Sequence, residues 1–240
     1  MCNKWPKFPI GVSEVTGGLI GDTVVICGGH NIDECYSMTS EKATNVTHMS
    51  VWRLYTASIV LNDNTLWVTG GYHTSILAST EYVTLTETID GPDLPMALAH
   101  HAMVAINSTC SMVIGGYDEE VEHSASTFYY DRSEGEWITG PILIQGRNRH
   151  AAGIVTDEVT DEDIIVVTGG SYSPDSWFDL DSTEILQDGE WVQGKTNDSM
   201  LFFGKLLWYQ NLEKNFLISL IMKLRMFSKV STIYNVLENV

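Results

Sequence analysis

The sequence predicts an all-β repeat protein, on three observations. First, a glycine pair closes a short β-branched run four times: VVICGG (24–29), LWVTGG (66–71), SMVIGG (111–116) and IIVVTGG (164–170). The pairs Gly28-Gly29, Gly70-Gly71, Gly115-Gly116 and Gly169-Gly170 lie 42, 45 and 54 residues apart, a spacing that belongs to repeat architectures. Second, the last three pairs are followed by a further strand, STEYV (79–83), STFYYD (126–131) and STEIL (182–186), and then by TIDGP (88–92), WITGP (137–141) and WVQGK (191–195). Third, an alternating strand precedes each of these pairs: ASIVL (57–61), HAMVAI (101–106) and HAAGIV (150–155). Each unit therefore holds four short strands, with turn signals such as Asn62-Asp63-Asn64 and Asp188-Gly189 between them. Four antiparallel strands in roughly 45 residues make one blade of a β-propeller.

The residue types suit those places. A glycine pair belongs where a strand ends in a sharp turn and neighbouring sheets crowd the backbone, because a Cβ would clash or force φ out of range. Trp137 and Trp191 are flat fillers between wedge-shaped sheets, each removing on the order of 150–250 Å² from water. The units run over residues 10–50, 51–97, 98–146 and 147–195, all within a propeller region at 1–195.

The order of a His or Arg start, a strand, a strand ending Gly-Gly, a strand with Tyr, a Trp and Gly-Pro resembles the kelch repeat. The third unit carries it best, with His100-His101-Ala102, Gly115-Gly116, Tyr129-Tyr130-Asp131 and Trp137. The second has Thr88 in place of the Trp, and the fourth has Ile185-Leu186 where a Tyr is usual. The first is the weakest, with Cys35-Tyr36 standing in for the third strand and no matching Trp. The resemblance covers roughly residues 10–195. It implies a propeller of five to seven blades, so material for about four is expected to form an incomplete ring.

Residues 196–240 depart from the pattern. They lack a Gly-Gly pair, a Gly-Pro turn and an Arg-His start, and they carry 5 basic against 3 acidic residues, where residues 1–195 carry 8 against 28. The segments 201–209 and 215–227 are apolar at mixed spacing, and their uncharged runs are too short to span a bilayer. Two readings stand: an amphipathic helix on the open sheet edge or on a membrane surface, or a read-through tail that is no evolved element.

A formal net charge of −18 argues against nucleic acid, whose binding needs Lys and Arg to meet phosphates. The acids concentrate at 118–122 and 157–163, either to attract a basic partner or a hard cation or as solvated hairpin loops, and neither run has the glycine turn and closing Glu of a calcium loop. No cofactor is expected. Cys27 ends one strand and Cys35 sits in the next, so a hairpin would bring them within bonding distance. The context CGG…ECY resembles extracellular-type invertebrate kelch chains, which implies a Cys27–Cys35 bridge. Three glycosylation acceptors, Asn45, Asn107 and Asn197, point the same way. The N-terminal residues lack the apolar stretch of a secretory signal. The cytoplasm is then the default compartment, and an extracellular one applies if residues precede Met1.

Signatures of catalysis are missing: the chain has no Cys-x-x-Cys zinc spacing, no Gly-x-Ser-x-Gly elbow and no phosphate loop. Neighbouring His100 and His101 point to opposite faces of a strand, and His101 is expected in the core. The expectation is a non-catalytic interaction module that holds a protein or peptide partner on the loop face of the propeller. Candidate contacts are Arg53, Tyr55, His100, Arg147 and Arg149 in the loops entering each first strand. Tyr72, His73, Tyr117, Asp118 and Tyr172 follow the glycine pairs. Two arginines around Asn148 would fork onto the carboxylates of an acidic peptide, or else tie neighbouring sheets together. The alternatives are a propeller enzyme or carbohydrate-binding protein, and a fragment without independent function.

Overall fold

The computed structural model describes residues 7–156, 162–172 and 180–194. The apolar tail, the first six residues, Asn197 and most of the acidic run at 157–163 lie outside them. The fold is all-β, without helices among the described residues. Among the described residues, sixteen strands form four antiparallel four-stranded sheets, each paired in simple chain order. Sheet 1 comprises β1 (Thr16–Ile20), β2 (Thr23–Cys27), β3 (Glu34–Met38) and β4 (Ala43–His48). Sheet 2 comprises β5 (Ala57–Val60), β6 (Leu66–Thr69), β7 (Thr80–Val83) and β8 (Thr88–Asp90). Sheet 3 comprises β9 (Ala102–Ala105), β10 (Cys110–Gly116), β11 (Ser124–Asp131) and β12 (Glu136–Thr139). Sheet 4 comprises β13 (Ala151–Thr156), β14 (Asp163–Thr168), β15 (Thr183–Gln187) and β16 (Glu190–Gln193).

The arrangement is propeller-like. The first strands β1, β5, β9 and β13 lie beside one another in succession, and the later strands of each sheet lie progressively further out. Apolar residues fill each interface. Val25, Cys27 and Met49 meet Leu66, Val68 and Val83 between sheets 1 and 2. Trp67 meets Leu98, Val113, Phe128 and Tyr130 between sheets 2 and 3. Met112 and Ile114 meet Ile165, Val167 and Trp191 between sheets 3 and 4. The rings of Trp67, Tyr82, Tyr130 and Trp137 stack through the second interface at centroid distances of 4.8–5.8 Å. The Trp191 indole N–H donates to the Pro141 carbonyl at 3.1 Å, joining sheet 4 to sheet 3.

The glycine pairs form the seams. Gly70 and Gly71 adopt φ of +55° and +98°. A Cβ at Gly70 would lie 2.4 Å from the Leu98 carbonyl oxygen of the next sheet, and one at Gly71 2.5 Å from that of Leu54. That close approach lets Gly71 N–H donate to the Leu98 carbonyl at 2.8 Å. Gly29 does the same to Arg53 at 3.3 Å and Gly116 to Arg147 at 2.9 Å. Sheet 1, the weakest repeat in the sequence, is a complete sheet. In its β1, Gly17 packs so tightly that a Cβ would stand 2.2 Å from the Val25 carbonyl oxygen. Cys27 and Cys35 pair across β2 and β3 and are joined by a disulfide.

Candidate functional site

The same seam that aligns the sheets defines a ring of equivalent residues around their inner end. His100 N–H donates to the Tyr55 carbonyl at 2.8 Å, and Arg149 N–H to the His100 carbonyl at 2.9 Å. Glu14 completes the set: Ser13 and Val15 crowd Gly29 as Leu54 and Thr56 crowd Gly71. All four residues are non-glycine and left-handed, with φ of 61° at Glu14, 57° at Tyr55, 55° at His100 and 56° at Arg149. Such a conformation costs an ordinary side chain of order 1–3 kcal/mol and persists where its surroundings fix it. The backbone is repeated four times, and the side chain differs each time: an acid, a phenol, an imidazole and a guanidinium.

Three of the four line a cavity of about 450 Å³. Tyr55 and His100 stack within it at a ring separation of 3.9 Å. Tyr72, Ile76 and Tyr117 supply apolar and phenolic wall, and Glu119, Glu122, His123 and Asn148 its polar wall. Asn148 is pinned by the His123 ring nitrogen at 2.8 Å and by backbone bonds to Ser171. Burial raises the Glu14 carboxyl above its ordinary value, and the nearby Arg149 charge opposes that rise. Burial likewise raises the Tyr55 phenol, helped by Glu14 and opposed by Arg149. Arg149 is thus close enough to act electrostatically on two other members of the ring.

The sequence candidates separate into three groups. Tyr55, Tyr72, His100, Tyr117 and Arg149 all line this cavity. Arg53 and Arg147 do not reach it, because both are fully buried inside their own sheets. Arg147 donates to the Gly169 and Ser182 carbonyls at 2.8 and 3.1 Å and to Glu184 at 2.6 Å. Arg53 repeats the arrangement with Gly70, Ser79 and Glu81. Their place in the loop suggested a surface role, but the buried Glu two residues after each Ser draws them inward. Asp118 is also buried, and its carboxylate accepts the N–H groups of Glu120 and Val121 to cap its own turn. His73 and Tyr172 sit beside the cavity. His73 packs on Trp52 at 4.3 Å and bonds its carbonyl, and half-exposed Tyr172 lies 6.1 Å from the His123 ring.

Glu14, Ile76, His123 and Asn148 were not singled out by the sequence, and Glu119 and Glu122 only as part of the acidic run at 118–122. Glu14 was within reach, since Ser13-Glu14-Val15-Thr16 falls in register with Leu54-Tyr55-Thr56-Ala57. His101 is fully buried, with Nε2 2.8 Å from the Thr69 hydroxyl. Among the described residues no three His, Cys, Asp or Glu side chains gather as a metal site requires. No described helix is long and apolar enough to cross a membrane.

No family profile matches this chain, and no curated protein does. Solved structures do. The structure of YjhT superposes with a TM-score of 0.65 at 16% identity, over 81% of this chain and 68% of that one. At that identity the likeness shows the fold alone.

Proposed function

We propose that this chain is a kelch-type interaction module that binds a partner protein or peptide, without catalysis, at the inner loop face of its propeller. The observation that carries the reading is the ring of Glu14, Tyr55, His100 and Arg149: a constant, left-handed backbone presenting four different side chains. The glycine pairs, which only hold the sheets together, keep their residue type. Positions that recognise a ligand vary with what each must touch. Arg149 would take a carboxylate of the partner, and Tyr72, Tyr117 and Ile76 would cover an apolar neighbour. Arg147 has no part in this, since its charge is spent on Glu184.

Peptides selected from a displayed random library against the whole chain test the reading. Titration of a selected peptide followed by NMR should shift the resonances of Tyr55, His100 and Tyr117 first. Selected peptides that shift only residues outside this ring would refute it.

The disulfide supports an oxidising compartment. Asn45 and Asn107, both exposed, are placed to be glycosylated there.

A further inference from the structure

We propose a second binding site at the opposite end of the strands, between sheets 2 and 3, that receives a lysine side chain of a partner. The turns after β5, β7 and β11 gather there, since those strands end where the glycine-pair strands begin. They enclose a cleft of about 330 Å³. Its floor is formed by Tyr82 and Tyr130, whose rings both pack on Trp67. One wall is an ion pair across the interface, Arg132 to Asp63 at 2.8 Å. The other is Glu87, and Ile89 forms an exposed apolar lip.

Charge selects the ligand. Arg132 matches Asp63, which leaves the Glu87 carboxylate outside any ion pair among the described residues. The root of Glu87 is fixed, because its N–H donates to the Thr84 hydroxyl at 3.1 Å and its carbonyl accepts from Thr84 N–H at 2.9 Å. An anion entering the cleft would meet Glu87 and Asp63, and a purely apolar group would strand the tyrosine hydroxyls. A primary ammonium on a four-carbon stem satisfies both demands. Its methylenes lie along Ile89 and the Tyr82 ring, and its charge meets Glu87 and the π-face. A chain of net charge −18 also draws basic partners towards it.

The probe is N-acetyl-lysine methylamide, titrated into the full chain and followed by NMR, with the norleucine analogue as its uncharged counterpart. The expected result is a saturable shift at Tyr82, Glu87 and Ile89, with affinity on the order of 1 mM, as suits one isolated side chain. Glu87→Gln should weaken it at least fivefold. Glu134→Gln, which removes an exposed acid on the neighbouring turn, should leave it unchanged. The proposal is overturned by an absent shift, by equal binding of the norleucine analogue, or by equal weakening from both substitutions. None of these outcomes bears on the inner loop face, which shares no residue with this cleft.

Discussion

Arg53 and Glu81 form an ion pair with both side chains buried, and at the equivalent positions of sheet 3 stand Leu98 and Phe128. The equivalence follows from the seam, where Gly29 bonds the Arg53 carbonyl as Gly71 bonds that of Leu98. Sheet 4 returns to the charged solution with Arg147 and Glu184. The same fold therefore accepts two chemistries at one place, a hydrogen-bonded ion pair and an apolar contact, because either leaves no buried charge alone. Burial lowers the Arg53 pKa, and the Glu81 carboxylate opposes that fall.

Breaking the pair should be costly and replacing it should not. Glu81→Gln is expected to lower stability by about 3–5 kcal/mol, as for an uncompensated buried charge. The double substitution Arg53→Leu with Glu81→Phe, copying sheet 3, should be more stable than either single one. Denaturant melts of the parent, Arg53→Leu, Glu81→Phe and the double variant form the cycle. A double variant weaker than both singles would show that the Glu81 bonds to the Ser50 N–H and hydroxyl outweigh relief of the stranded charge.

The disulfide should contribute measurably. Cys27 and Cys35 are separated by 8 residues, and closing so short a loop is worth about 2–3 kcal/mol of chain entropy. Cys27→Ala with Cys35→Ala should lower the melting temperature, and reductant should then have no further effect through this pair. Peptide mapping without reductant should recover the linked peptide; finding both cysteines alkylated in the native protein would remove the bridge.

Alkaline titration reads the second interface. Burial, with the Tyr130 phenol adding to it, pushes Tyr82 up to about 12. An unfolded tyrosine titrates near 10. The folded state thus holds the Tyr82 proton more tightly, so its contribution is complete below pH 10 and is lost as pH rises from there towards 12. Tyr82→Phe should flatten the fall of melting temperature across that window. An unchanged slope would place the alkaline loss on other groups.

The strands were legible because their signals are local. Gly70 and Gly71 end a β-branched run, and Trp137 and Trp191 mark fourth strands that the structure places as β12 and β16. The first sheet was harder to read, since Gly17 in β1 serves a backbone contact that no periodicity reveals. The site was legible by region and not by residue. Arg147 and Arg149 look alike in sequence, two positions apart in one loop. Which one turns inward depends on Glu184, 37 residues further on, and on the left-handed turn at Arg149 itself. Such long-range pairing leaves no short-range trace.

The most direct measurement is a side-by-side comparison of Arg147→Ala and Arg149→Ala, each assayed for thermal stability and for affinity to a library-selected peptide. The account predicts opposite signatures. Arg147→Ala should destabilise by about 3–5 kcal/mol through the stranded Glu184. Arg149→Ala should melt within a few degrees of the parent and lose about tenfold or more in affinity. Full affinity in Arg149→Ala would contradict the proposed role of the inner loop face.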